Sequence, residues 1–152
     1  MVNTDTIKEL RDSTGVSVMQ CKFALEEALG DKEKALIILK KKGIEAALKK
    51  SDRNLNAGII ASYIHSTGTI GAMVELACET DFVSKNSEFK QLAYDIAMHI
   101  AASNPESENV LLDQPFIKNP EITVGALVNN AIQKFGEKTE IVRFIRYVAL
   151  EK

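Results

Sequence analysis

The sequence contains no tryptophan, and only two cysteines and three prolines among its 152 residues. Cys21 and Cys78 lie far apart, which excludes a disulfide framework and the paired cysteines of a zinc site. With eight glycines, the composition also excludes collagen-like and linker-dominated architectures. No apolar run is long enough to cross a membrane, and the N-terminus resembles neither a signal peptide nor a transit peptide. We therefore expect a reduced, cytoplasmic protein that does not bind membranes.

The charge is nearly balanced, with a formal net charge of −2. Hydrophobic residues make up 45% and charged residues 26%, which is typical of a globular protein. A chain of this balance lacks the basic field of a nucleic-acid binder, so we expect no direct nucleic-acid contact. Locally, however, residues 32–53 contain eight basic and three acidic residues. One interpretation is that these charges lie at a helix end exposed to solvent. The other is that the segment attracts an acidic partner or nucleic acid electrostatically.

Motifs for catalysis are absent. There is no GxxxxGK[ST] loop and no GxGxxG loop, so no phosphate-binding loop is indicated. His65 and His99 have no neighbouring ligand set, and both cysteines fit buried, inert thiols. No nucleophile, base and oxyanion hole can be assembled. We expect a binding or regulatory protein with no catalytic residues, no cofactor and no metal, rather than an enzyme.

The first 50 residues predict three helices. Thr6 and Glu9 fit a capping box that opens the first helix, and Ser17 begins a second box. Asp31 fits the N-cap of a third helix, in which three lysines near the C-terminus oppose the helix dipole. Gly43 is then expected to end that helix. These helices predict a small bundle.

The hydrophobic period changes from 3.6 to 2 after Asn56. Residues 57–65 and 70–78 alternate around a Gly-containing turn, which predicts a β-hairpin. Apolar residues from Phe89 to Ala101 follow the spacing of an amphipathic helix. Residues 105–120 are predicted to be a connection with one helical turn, residues 124–135 another helix, and residues 141–150 a third strand.

These elements predict an α+β fold. Three N-terminal helices precede an antiparallel or mixed three-stranded sheet that helices cover on one face. The polar segment before Asn56 marks the domain boundary. We therefore predict a helical domain over residues 1–52 and an α+β core over residues 53–152.

A strand-to-helix corner, residues 78–86, does not fit a purely structural role. Such corners usually carry Gly, Asn, Asp and Ser, whereas this one places Phe82 and Val83 after Asp81. One interpretation is a hydrophobic staple in which Phe82 or Val83 folds back onto the chain. The other is an interaction anchor, because an exposed aromatic beside a charge is typical of an interface hot spot.

Three motifs carry a resemblance to a known family. Residues 80–83, Thr-Asp-Phe-Val, resemble the TDFV signature of bacterial and organellar translation elongation factor Ts. Residues 7–25 resemble that family's opening KELR…TG…M-x-C-K-x-A-L stretch, and residues 134–144 resemble its KIGENI-x-x-R-R element. The motifs occur in order over nearly the whole chain with similar spacings.

The resemblance implies a guanine nucleotide exchange factor for elongation factor Tu, in its GDP-bound and nucleotide-free states. The N-terminal helices would form a ubiquitin-associated-like domain that docks on the partner's GTPase domain. The sheet would be the antiparallel core and dimerisation domain. In the family, the TDFV corner inserts its Asp and Phe beside the partner's Mg²⁺ and phosphates. Carried over, the partner-binding residues here are Lys22, Thr80, Asp81, Phe82, Val83, Phe135 and Gly136.

Two expectations go beyond those motifs. Phe135 stands where the family usually has Ile, which changes the side chain at one contact. The final strand is apolar on both faces and needs a covering surface, and many family members carry a second core module. We expect a homodimer in which a second chain supplies that cover, although a monomer with one partly wet face is the alternative. The alternative function is a ubiquitin-associated-like protein-binding adaptor without exchange activity.

Overall fold

A computed structural model describes residues 2–151, which form two compact units. The first unit comprises the residues up to Asp52 together with Ala126–Glu137, and the second comprises Arg53–Gly125 and the residues from Lys138 onward. The helices are α1 Thr4–Thr14, α2 Val18–Glu27, α3 Lys32–Lys49, α4 Asp81–Ser84, α5 Ser87–Ser103, α6 Glu108–Asp113 and α7 Val124–Phe135. The strands are β1 Ala57–Ile64, β2 Ile70–Cys78, β3 Pro115–Phe116, β4 Asn119–Thr123 and β5 Glu140–Val148. The predicted α+β fold is confirmed.

The caps of the first three helices follow local sequence with one exception. Ser17 accepts a hydrogen bond from the Gln20 amide, and Asp31 accepts one from the Lys34 amide, as predicted. The first helix, however, is capped by Asn3, whose side chain accepts from the Asp5 amide at 2.8 Å. The prediction of a Thr6 cap was therefore wrong, because an asparagine three residues earlier offers an equally good acceptor.

The third helix does not end at Gly43. It runs for 18 residues to Lys49, and Gly43 is buried inside it. A Cβ at Gly43 would lie 3.4 Å from the Cβ of Asn129 on α7, so the missing side chain permits a close helix–helix approach. Glycine here serves packing rather than termination, which a single sequence cannot distinguish.

The C-terminal part of α7 completes the first unit. The Asn130 side chain donates a hydrogen bond to the Thr14 carbonyl at 3.0 Å, and the Gln20 side chain donates to the Gln133 carbonyl at 3.1 Å. The predicted division at residue 52 did not assign Ala126–Glu137 to the helical unit. As a statement about independently folding domains, that division stays a prediction.

Leu29 is strained at the turn between α2 and α3. Its φ is +56°, in the left-handed region, and its side chain is 94% exposed. Since leucine avoids this region and gains no burial here, we expect Leu29→Asn to raise the free energy of unfolding by about 1 kcal/mol. Urea titration measures the change. Leu29→Ala is the control, since alanine keeps the strain and should give no such gain.

The second unit is built on one antiparallel sheet. Its strand order is β1-β2-β5, with Met73 paired to Ser62 on one side and to Ile145 on the other. Helix α5 packs on β1 and β2, and it buries Phe89, Leu92, Ile96 and Ile100. The apolar alternation in β2 places Val74 and Leu76 among the buried residues, as period 2 predicts.

The opposite side of the sheet, here called the open face, carries exposed apolar side chains. The register aligns Ile60, Glu75 and Arg143 in one row, then Ser62, Met73 and Ile145, then Ile64, Gly71 and Tyr147. Five of these apolar residues are exposed by 44–70%: Ile60, Ile64, Met73, Ile145 and Tyr147. Shallow concavities of about 430 and 420 Å³ lie along them. Helix α5 packs with the buried side chains of β2, whereas these five side chains on the opposite side stay exposed.

The predicted connection after α5 contains a short hairpin that sequence reasoning missed. Strands β3 and β4 pair antiparallel, although a proline lies in each of them. His99 on α5 anchors the hairpin, because its Nδ1 accepts from the Ile117 amide at 3.1 Å. Its Nε2–H therefore donates to the Gln114 side-chain oxygen at 2.9 Å.

Burial lowers the pKa of His99 below its ordinary value of 6.5, against the opposing effect of the Gln114 hydrogen bond. The unfolded chain then binds the proton more tightly than the folded chain. The contribution of His99 to the free energy of unfolding is therefore complete above about pH 6.5. It falls as the pH drops towards the lowered pKa of His99 in the folded chain. We expect the urea midpoint to fall over this range in the wild type and to fall less in His99→Gln. Identical pH profiles would contradict the role assigned to His99.

Candidate functional site

The corner is anchored by its flanking residues. Cys78 and Ser84 are buried, and Val83 is only 5% exposed. The Cys78 thiol donates to the Thr80 carbonyl at 3.3 Å, and the Ser84 hydroxyl donates to the Asp81 carbonyl at 3.2 Å. These contacts hold α4, a single helical turn, against the end of β2.

The same turn presents Phe82 and Asp81 to solvent. The Phe82 ring is 87% exposed, and Asp81 is exposed beside it. The two interpretations of the Phe-Val pair therefore apply to different residues, since Val83 folds back and Phe82 does not. Exposing a phenylalanine ring forgoes about 2–3 kcal/mol of burial, so its placement calls for an explanation outside the chain.

Lys22, Phe135 and Gly136 belong to the first unit. Lys22 is exposed on α2, and its Nζ lies 4.0 Å from Oε1 of Glu26. Phe135 is partly buried at the end of α7, with the Lys134 ammonium 5.7 Å from its ring centroid. Gly136 follows with a φ of +72° and donates its amide to the Ile132 carbonyl, so it caps the helix in a conformation that favours glycine.

Two apolar residues beside Lys22 were missed by sequence reasoning. Met19 and Phe23 are 53% and 52% exposed, and they lie four residues apart on α2. The available signal was that both lie off the face of α2 that carries the buried Cys21 and Leu25. With Lys22 they form an exposed apolar and basic patch on the first unit.

The remaining reactive groups fit structural roles. Cys21 and Cys78 are both buried and neither forms a disulfide, and burial raises the pKa of the Cys21 thiol. Within residues 2–151, no group of three or more His, Cys, Asp or Glu side chains could hold a metal ion. Nor does any helix in that range combine the length and apolar character needed to span a membrane.

The family is decided by comparison with known proteins. A family model described as Elongation factor TS matches residues 17–107, which include the corner. The elongation factor Ts of Carboxydothermus hydrogenoformans is 42% identical and covers 97% of this chain and 88% of its own length. The chain belongs to the elongation factor Ts family. The family member from Thermodesulfovibrio yellowstonii is 40% identical, with 96% of this chain and 95% of that protein covered.

The chain of 152 residues is shorter than the Carboxydothermus hydrogenoformans protein within the region where the two match. The match to the Carboxydothermus hydrogenoformans protein spans 192 positions, so at least 40 of them have no counterpart in a chain of 152 residues. The Elongation factor TS match ends at residue 107, directly before α6. Despite this shortening, the corner, α5 and the three-stranded sheet are all present.

Proposed function

We propose that the chain is a guanine nucleotide exchange factor that binds elongation factor Tu and promotes GDP release during translation elongation in the cytoplasm. Membership of the elongation factor Ts family supports the role, and one observation carries the mechanism. Phe82 projects into solvent from a turn whose neighbours Val83 and Ser84 are buried. A ring held outward by a turn that is anchored through buried neighbours is suited to enter a pocket on another protein.

In this mechanism, Phe82 and Asp81 enter the partner beside its Mg²⁺ and phosphate-binding region. A GTPase holds GDP largely through Mg²⁺ and a cradle of backbone amides, so displacing the elements that order the ion weakens nucleotide binding. By linkage, a factor that prefers the nucleotide-free partner lowers nucleotide affinity by the same ratio. Phe82 need not touch GDP to act.

The corner alone is insufficient for a large acceleration. Burying one phenylalanine contributes about 2–3 kcal/mol, which corresponds to about 30- to 150-fold. The first unit supplies further contacts in our proposal, through Lys22 and the apolar residues beside it, and through Phe135 and Gly136. Thr80 and Val83 contribute by holding the corner, since Val83 is buried in the free chain.

Release of a fluorescent GDP analogue from elongation factor Tu tests the function. Excess unlabelled GDP prevents rebinding, and the release rate is measured as the chain is added. We expect the rate to rise with concentration and then saturate. Binding to elongation factor Tu without any acceleration would support the adaptor alternative and contradict the exchange function.

We also propose that a second copy of the chain covers the open face. Exposed apolar residues occur in all three of its rows, and a contiguous apolar patch of this kind marks an interaction surface. A second copy presents the same apolar rows, so a two-fold arrangement is self-complementary. The Glu75–Arg143 ion pair, at 2.7 Å, neutralises the charges within one row.

A further inference from the structure

The end of β2 that pairs with the start of β5 lies next to α4 in the chain. Strands β2 and β5 pair as far as Ala77 and Glu140. Two residues beyond this pair, the Glu79 carboxylate accepts a hydrogen bond from the Lys138 amide. The Glu79 side chain thus accepts a backbone hydrogen bond from the chain of β5 beyond the point where the strand pairing ends.

A third chain segment meets the same carboxylate. The Arg53 guanidinium, which precedes β1, lies 3.5 Å from both Glu79 oxygens. The Glu79 side chain is only 18% exposed, whereas the Arg53 side chain is 49% exposed. Glu79 therefore joins the approach to β1, the exit from β2 and the entry to β5 at one point. Asp81, the first residue of α4, follows Glu79 by two residues within the corner.

We propose that Glu79 is a positioning residue that fixes the direction in which Asp81 and Phe82 are presented. This inference rests on the proposed exchange function. Removing the carboxylate leaves the Lys138 amide without this acceptor and frees the end of β2 from the start of β5, directly before α4. Because a charge-assisted hydrogen bond in a partly buried site is stronger than an exposed ion pair, the Lys138 contact matters more than the Arg53 contact.

The test compares Glu79→Ala with Glu79→Gln, Glu79→Asp and Arg53→Ala in the fluorescent GDP release assay. We expect Glu79→Ala to lower the saturating release rate by about tenfold, whereas the half-saturating concentration changes by less than about twofold. Glutamine keeps an acceptor for the Lys138 amide and should restore most of the rate. Arg53→Ala should lose less than about twofold. Glu79→Asp shortens the side chain but keeps its charge, and it replaces Glu79→Ala should the latter not fold.

A spectroscopic measurement separates positioning from stability. The chain has no tryptophan, so Phe82→Trp provides a single reporter at the corner. We compare Phe82→Trp alone with double variants that also carry Glu79→Ala or Glu79→Asp. We expect the tryptophan fluorescence anisotropy to be lower in the double variants, at a temperature where circular dichroism shows a folded chain. Unchanged anisotropy, or an unchanged saturating rate, would overturn the proposal. If the wild type does not accelerate release, the exchange function fails, and the anisotropy alone decides the role of Glu79.

Discussion

Phe82→Ala is expected to reduce the acceleration of GDP release from elongation factor Tu by about 30- to 150-fold at subsaturating concentration. The ring is 87% exposed in the free chain, so its removal takes nothing from the core. Its whole contribution is therefore expected in the complex. The fluorescent GDP release assay measures the loss directly.

Two comparisons decide how that loss is interpreted. Ile117→Ala, at a residue that is 46% exposed on the β3–β4 hairpin, is the matched control and should leave release unchanged. The far-ultraviolet circular dichroism of both variants should equal that of the wild type. Asp81→Ala should also slow release, because the proposed mechanism places this carboxylate in the partner together with the ring. Wild-type rates for both corner variants would exclude the proposed entry of Phe82 and Asp81 into elongation factor Tu.

Met73→Lys is expected to weaken homodimerisation by at least about 100-fold. Met73 lies at the centre of the open face, between Ser62 on β1 and Ile145 on β5. A lysine there would be buried against the apolar rows of a second copy, and Glu75 in the neighbouring row is already paired with Arg143. Because Met73 is already 46% exposed in the single chain, the substitution should leave the fold intact.

Sedimentation equilibrium at micromolar concentration measures this effect. The wild type should have twice the 16.7 kDa mass of the chain, and Met73→Lys should have the single mass. Ile117→Lys adds the same charge off the sheet and should remain a dimer. A wild-type chain that sediments as a 16.7 kDa species would contradict the dimer.

Local sequence chemistry predicted most of the secondary structure. Alternation defined β1 and β2, and side-chain caps at Ser17 and Asp31 defined two helix starts. The predictions were wrong where contacts between residues far apart in the sequence determine the end of a helix or the unit to which a segment belongs. Gly43 stays helical because α7 packs against it, and Ala126–Glu137 joins the first unit through hydrogen bonds such as that from Asn130 to Thr14. Such partners are more than 80 residues away and leave no local signal.

The candidate site was also predicted only in part from local sequence. Composition identified the corner as unusual, and the family motifs pointed to its residues, but neither could tell which side chain of the Phe-Val pair folds back. That choice follows from the single turn of α4, which directs Val83 and Ser84 inward and leaves Phe82 outside. Glu79 could not be found from sequence, because its partners Arg53 and Lys138 meet it only through strand pairing.

The central claim is that the ring at position 82 enters elongation factor Tu. Site-specific photo-cross-linking tests it most directly, with a benzophenone amino acid in place of Phe82 and, as the control, in place of Ile117. Irradiation of the mixture should link the chain to elongation factor Tu from position 82 and not from position 117. A bound complex that forms no cross-link from position 82 would contradict the account.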